Sequence, residues 1–148
     1  IGSGTAFFSI AIQKSTGCST IYACDASPIL TNWVEKNEVS VHPEIAAVLT
    51  EGDNIPLDDN TGSAAIMINL HHELDEPLKV LKEAQRLIKP GGRILIIDWK
   101  KEETGEGPPQ QIRYSPNTVK QQLAQAGFVD IQCSTELEKH FLVRGLNQ

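Results

Sequence analysis

Two glycines and a scatter of acids and histidines carry the chemical content of this chain. Gly2-Ser3-Gly4 follows the apolar Ile1 and precedes Thr5-Ala6-Phe7-Phe8-Ser9-Ile10-Ala11-Ile12. That order reads as the end of a buried strand, a glycine turn and a helix. Glycine lets a backbone come close to a ligand, and a helix start offers unpaired N–H groups, so such a turn suits a nucleotide-like molecule. Further polar groups recur at the ends of apolar runs: Asp25, Asp53, Asn69 to Glu73, and Trp99-Lys100-Lys101. His71-His72-Glu73 has metal-ligating residue types. Adjacent histidines on an extended chain point apart, however, and no third ligand is spaced nearby, so no metal is expected there. Cys18, Cys24 and Cys133 are odd in number and lack a CxxC spacing. Cys24 and Cys133 sit in apolar runs and are expected to be buried thiols of a reducing, cytoplasmic compartment.

Short apolar runs alternating with amphipathic stretches must position these groups. Thr20 to Cys24 reads as a strand, and Ser27-Pro28 opens a helix with Ser as its cap and Pro at its first position. Ile29, Leu30, Trp33 and Val34 fall on one face of that helix, with Trp33 in the core. Ala46 to Leu49 is the next strand, and Asp58 to Gly62 a surface turn. Ala64 to Ile68 is a strand. Pro77 opens a helix with Leu78, Leu81, Ala84 and Ile88 inward, which Pro90-Gly91-Gly92 stops. Arg93 to Ile97 is expected to be a strand buried on both faces. Asp98 to Pro109 reads as a polar loop suited to a mobile lid, and Ser115-Pro116 caps a last helix ended by Gly127. Phe128 to Cys133 and Phe141 to Val143 are two final strand-like runs. The alternation predicts an α/β fold: a doubly wound, mainly parallel, Rossmann-like sheet with an antiparallel C-terminal hairpin. In a parallel sheet all the polar groups named above fall at the carboxyl ends of strands, where such folds bind ligands.

The 148 residues are expected to form one domain, residues 1–148. A hydrophobic share of 40% with 22% charged residues is that of an ordinary globular protein. No apolar run approaches the roughly 18 residues of a membrane span, so no membrane partner is expected. A formal net charge of −6 argues against a nucleic-acid-binding surface, which needs clustered Lys and Arg. Composition leaves the oligomeric state open.

The chain resembles the class I S-adenosylmethionine-dependent methyltransferases, and in particular a subgroup of small prokaryotic members. Gly2-Ser3-Gly4-Thr5-Ala6 is similar to the family's G-x-G-x-G loop, with Ala6 in the third glycine place. Asp25 matches the acid that takes both ribose hydroxyls. Glu51 to Leu57 is similar to the stretch bordering the adenine, and Leu87 to Arg93 to the family's K-P-G-G turn before strand five. The resemblance spans Ile1 to about Val143.

It implies S-adenosyl-L-methionine as cofactor, held by Gly2, Ser3, Gly4, Asp25, Ala26, Asp53, Asn54, Asn69 and Leu70. It also implies methyl transfer to an acceptor, a small molecule or another class, that the sequence does not identify. His71, His72 and Glu73 border the transferred methyl group in similar proteins and stand as three candidates for a base. The acid that the family carries just before the glycine loop would lie before Ile1. Most of strand one is therefore expected to be missing, in an N-terminally incomplete, weakly folded domain. Two other readings stay open. An NAD(P)-dependent dehydrogenase would need a small residue at the sixth place of G-x-G-x-x-G, where Phe7 stands. A catalytically inactive nucleotide-binding or interaction domain would share the same fold.

Overall fold

The computed structural model describes residues 1–148, which form two compact units, Ile1–Pro56 and Leu57–Gln148. The first unit holds helix α1 (Phe7–Thr16), strand β1 (Ile21–Asp25), helix α2 (Pro28–Asn37) and strand β2 (Ile45–Leu49). β1 and β2 run parallel, from Ile21 opposite Ile45 to Asp25 opposite Leu49, with α2 as the crossover that parallel pairing requires. Ser27 caps α2 as predicted: its backbone is extended, its Oγ accepts from the Leu30 N–H at 3.3 Å, and Pro28 opens the helix.

The core of this unit is Ala6, Ala23, Val34 and Ile45, with Ile10, Ile21 and Ala47 against it. Two expectations change here. Helix α1 begins at Phe7 rather than Thr5, because Ala6 is left-handed, with φ 61°. That conformation costs an alanine about 1–2 kcal/mol, and the Ala6 methyl is wholly buried in the cluster. On the predicted inner face of α2 only Val34 is buried; Ile29 is 80% and Trp33 41% exposed, so Trp33 is not core. A two-stranded sheet offers α2 only a narrow apolar surface, and Val34 occupies it.

The second unit contains strand β3 (Gly62–Ile68), a 3₁₀ turn at His71–Glu73, helix α3 (Pro77–Leu87), strand β4 (Ile88–Trp99), a second 3₁₀ turn at Gln110–Ile112, helix α4 (Pro116–Ala126), and strands β5 (Val129–Ser134) and β6 (His140–Leu146). The sheet order is β3-β4-β6-β5. β3 and β4 are parallel with α3 as crossover, and β6 runs antiparallel to both β4 and β5. The predicted combination of parallel strands with an antiparallel C-terminal hairpin is present. α3 and α4 pack against each other, α3 also on β3 and β4, and α4 on β5 and β6. Leu81, Met67, Ile94, Ile96, Leu123 and Phe141 fill the interior between them.

Local details depart from the sequence reading. α3 ends at Leu87, and Ile88, expected as its last inward residue, is the first residue of β4. Lys89-Pro90-Gly91-Gly92 therefore lies at the strand's start and not in a separate stop. Asn147 holds this junction: its backbone exchanges hydrogen bonds with Gly91 and Gly92, and its Nδ2 donates to the carbonyls of Gln85 and Ile88. β4 is not buried evenly on both faces. Ile94 and Ile96 are fully buried, whereas Leu95 and Ile97 on the other face are only partly covered. The same period of two carries on past the apolar run, so Asp98 continues the buried face and belongs to the strand rather than to the following loop. Cys133 is exposed, on the outward side of β5, while Cys24 is buried as expected. No helix is long and apolar enough to cross a membrane.

The α3–β4 junction leaves no room at Gly92. A Cβ there would lie 2.6 Å from the Ser63 carbonyl oxygen and 2.9 Å from that of Lys89, and closer still to the Ile88 side chain. Gly92→Ala should therefore destabilise the fold by about 1–3 kcal/mol, read as a lower urea midpoint with an unchanged slope. A midpoint equal to the parent's would show that this packing is not rigid.

Candidate active site

The glycine turn and Asp25 meet at the carboxyl end of β1. Gly2 and Gly4 have φ of 66° and 54°, a region open to glycine at little cost. The turn is fastened to β1 by the Ser3 N–H donating to the Cys24 carbonyl at 3.0 Å. The Gly4 N–H donates to Asp25 Oδ2 at 2.8 Å, and the Ser27 N–H to Asp25 Oδ1 at 2.9 Å. One carboxylate thus ties the glycine turn before β1 to the start of α2 after it. Nothing lies within 4 Å of where a Gly4 side chain would project.

Asp53 and Asn54 follow β2, whose end is aligned with that of β1; the Thr50 N–H donates to the Asp25 carbonyl at 2.9 Å. They form a tight turn in which Glu51 and Asn54 bond backbone to backbone, with the side chains of Asp53 and Asn54 exposed. Gly2, Ser3, Gly4, Asp25, Ala26, Asp53 and Asn54 therefore lie at or beside the carboxyl ends of this parallel pair.

In the second unit, Asn69, Leu70, His71, His72 and Glu73 follow β3, next to the end of β4. Asn69 is left-handed, with φ 54°, and its N–H donates to the Ile97 carbonyl at 2.9 Å. The two histidines turn to different partners. His71 is wholly buried; its Nε2 lies 2.8 Å from Gln122 Oε1 on α4, and its ring meets Tyr114 edge-on at 5.2 Å. Its Nδ1 and the Oδ1 of Asn69 are buried without a hydrogen-bond partner. Burial lowers the His71 pKa, opposed by the Gln122 hydrogen bond and the charge of Asp98. His72 turns to β4: its Nδ1 lies 2.7 Å from Asp98 Oδ1, and its backbone N–H donates to Asp98 Oδ2 at 2.9 Å. Asp98, 2% exposed, also accepts from the Trp99 N–H at 2.8 Å. Glu73 is largely exposed, its Oε1 3.7 Å from His72 Nε2.

Sequence reasoning missed Asp98 and Arg113. Asp98 was legible through the period of two in β4. Arg113 carried no local signal, because its partners lie 5 to 13 residues away. It is 5% exposed, and its guanidinium donates to the carbonyls of Lys100, Glu102, Glu106 and Pro108 and to Thr104 Oγ1. The same guanidinium lies 5.5 Å from the Trp99 ring centre, and Gly107 passes so close to that ring that a Cβ would sit 2.7 Å from it. The loop expected to be a mobile lid is held from inside by one cation.

Residues 1–96 match the family model for a methyltransferase domain. A solved S-adenosylmethionine-dependent methyltransferase from Aquifex aeolicus is 34% identical and superposes with a TM-score of 0.86 over 99% of this chain and 79% of that one. A protein from Sulfolobus solfataricus assigned to the type 11 methyltransferases, 24% identical, shares the fold with a TM-score of 0.81 over 99% of this chain and 80% of its own. Uncharacterized methyltransferases of Mycobacterium bovis and Mycobacterium tuberculosis are 34% identical over 55 residues, 37% of this chain. That match spans 22% of the length of those curated relatives. The chain belongs to the S-adenosylmethionine-dependent methyltransferases.

Two measurements check this geometry. Above the ordinary imidazole pKa of 6.5, His71 is neutral in both folded and unfolded chains. Below it the unfolded chain binds a proton that the folded chain resists, so the unfolded state holds more protons and stability falls as pH drops towards the folded pKa. His140, lowered by burial, acts in the same direction. The urea midpoint should fall between pH 7.5 and 5.5, and His71→Phe should flatten the fall; a flat parent profile would contradict the burial of His71. Separately, Arg113→Met removes bonds to a charged donor that are worth about 1.5–3 kcal/mol each. Trypsin cleavage at Lys100 and Lys101 should accelerate roughly tenfold or more, whereas an unchanged rate would mean that Arg113 does not hold the loop.

Proposed function

We propose that this chain binds S-adenosyl-L-methionine through its glycine turn and Asp25 and directs its methyl group to a nucleophilic acceptor. The observation that carries this reading is the fastening of Asp25. Each carboxylate oxygen accepts one backbone N–H, from Gly4 or Ser27, which fixes the group's orientation. Each oxygen keeps a further lone pair, and two such acceptors on one rigid carboxylate suit the adjacent hydroxyls of a ribose. The open space over Gly4 lets the ligand approach the backbone. The residues present therefore fit the cofactor. Asp53 and Asn54, on the turn after β2, are assigned to the adenine by family resemblance, and Asn69 and Leu70 to the cofactor likewise.

The cofactor supplies a methyl group already activated on a sulfonium, so the hard chemistry comes with it. The protein's part is to bind, orient and exclude water. In-line transfer needs donor and acceptor held near 3 Å in a defined direction, and positioning of that kind is worth several kcal/mol of barrier. Preorganised backbone turns provide it on the adenosine side, because Gly2 to Gly4 and Asp25 are locked to one another before any ligand arrives.

Asp25→Ala tests this reading. Losing a hydrogen bond to a charged group costs about 1.5–3 kcal/mol, so affinity for S-adenosylhomocysteine should fall roughly 10- to 150-fold by calorimetry. The Asp25→Ala thermal melt, run alongside, separates lost binding from lost folding, since the Gly4 and Ser27 bonds go as well. A folded Asp25→Ala chain with parental affinity would remove Asp25 from the site.

A further inference from the structure

The loop of residues 100–108 is seated on one aromatic ring, and that ring has a titratable neighbour. We propose that this loop is a proton-sensitive strap: it stays closed while His140 is neutral on the Trp99 ring, and it is released when the His140 ring takes up a proton.

Trp99 ends β4, and its register partner across the β4–β6 ladder is His140, the first residue of β6. The two rings lie together, with centres 4.3 Å apart and planes tilted by 42°. The loop's anchorage rests on the same indole. The Arg113 guanidinium lies 5.5 Å from its centre while donating to the carbonyls of Lys100, Glu102, Glu106 and Pro108. Gly107, with φ 89°, runs so close to the indole that a Cβ would lie 2.7 Å from it. Both strand ends also hold the loop directly. The Lys100 N–H donates to the Lys139 carbonyl at 2.9 Å, and Lys139 Nζ pairs with Glu106 Oε1 at 2.6 Å. A change in the His140 ring is therefore a change in the surface on which the loop sits.

That ring is poorly provided for as a cation. Nε2 of His140 is buried and has no hydrogen-bond partner. In an imidazolium both ring nitrogens carry protons, so Nε2–H would be a buried charged donor with no acceptor, which is costlier than an unmatched neutral nitrogen. The charged groups facing the ring are Asp98 of β4, Glu106 of the loop, Arg113 after the second 3₁₀ turn, and Lys139 on its own strand. Burial is the largest influence and holds His140 below the ordinary imidazole pKa of 6.5; Asp98 and Glu106 oppose it, and Lys139 and Arg113 add to it.

Once the loop opens, the ring reaches water and its pKa returns towards the ordinary value. Below pH 6.5 the open state then binds more protons than the closed one, so acid favours opening, and the closed state is fully retained above that pH. Glu106, hydrogen-bonded to Lys139, is held below the ordinary carboxyl pKa and stays charged across this window, so the surface ion pair does not change with it. The loop leaves the carboxyl end of β4, the edge at which sheets of this kind receive ligands. A strap there that loosens with acid gives the second unit a rim whose access follows pH.

Limited proteolysis of the full chain tests the strap. A glutamate-specific endopeptidase active at both pH 7.5 and pH 5.5 finds Glu102, Glu103 and Glu106 in the loop. Rates are divided by those for the free peptide of residues 98–109, which removes the protease's own pH dependence. The parent ratio should rise about three- to tenfold from pH 7.5 to pH 5.5. His140→Phe, which keeps a ring for Trp99 but no titrating nitrogen, should hold the ratio flat. His140→Gln, polar and uncharged, should be flat as well and serves if Phe disturbs β6. A flat parent ratio overturns the proposal, as does a rise that survives in either folded variant. Cleavage at Glu83 inside α3 that keeps pace with the loop would mean that the whole unit unfolds, and overturns it too.

Discussion

Backbone N–H groups freed at the carboxyl end of a parallel strand must find acceptors, and in this chain strand-terminal aspartates supply them. β1 ends on Asp25, which takes the N–H of Gly4 and of Ser27; Asp98, one residue before the end of β4, takes those of His72 and Trp99. A buried N–H without a partner costs about 1–3 kcal/mol, so each aspartate holds its loops in one arrangement. The segments so held are the glycine turn in the first unit and the histidine turn in the second. Both aspartates keep acceptor capacity beyond these bonds, and Asp98 spends part of its own on the His72 ring. The same carboxylates that stabilise loops thus keep lone pairs for further donors, as Asp98 does for the His72 ring.

The opposite problem, a loop rich in unpaired carbonyls, is solved by a cation. The chain from Lys100 to Pro108 forms no regular structure, and its carbonyls converge on the planar guanidinium of Arg113. Five donors in a fixed fork suit that task, and lysine would not replace them. Trp99 closes the arrangement from the sheet side, stacked on His140 at 4.3 Å, with Lys139 paired to Glu106 at 2.6 Å on the surface. Glycines and prolines set the loop's turns, but its order comes from one buried side chain.

Legibility in the sequence followed contact range. Ser27-Pro28 and Ser115-Pro116 predicted helix starts correctly because a cap and the N–H it serves are three residues apart. Gly127 ended α4 for an equally local reason, with φ 102°. Asp25 was readable because it ends a recognisable strand, and the glycine turn because its two glycines lie two residues apart just before a helix. The misreadings came where tertiary packing decides. Trp33 and Ile29 are exposed because the first unit's sheet is narrow. Ile88 left its helix for a strand at a junction that Asn147, 59 residues on, holds by bonding the carbonyls of Ile88 and of Gln85 in α3. Cys133 sits in an apolar run yet on the outer side of β5. Asp98 was taken for the start of a loop because polarity marked a boundary there, while the strand's period of two ran on and buried it.

This division by range matches the division of chemical labour. Adenosine presents the same hydroxyls and base edge whatever is methylated, so the residues proposed to meet it can be short backbone motifs: two glycines, an aspartate, a tight turn. An acceptor has no fixed shape, and the histidine turn, unlike the glycine turn, is held by long-range contacts between side chains. His72 depends on Asp98 26 residues away, and His71 on Gln122 51 residues away. Such pairs vary without disturbing any local pattern, because each partner sits on a different element. A sulfonium donor needs no enzyme nucleophile, so nothing in the chemistry forces a residue type on the acceptor side beyond an accessible base where the acceptor carries a proton. In the histidine turn geometry separates two adjacent rings: His72 is anchored on Asp98 of β4, and His71 is bonded to Gln122 of α4 beneath Tyr114.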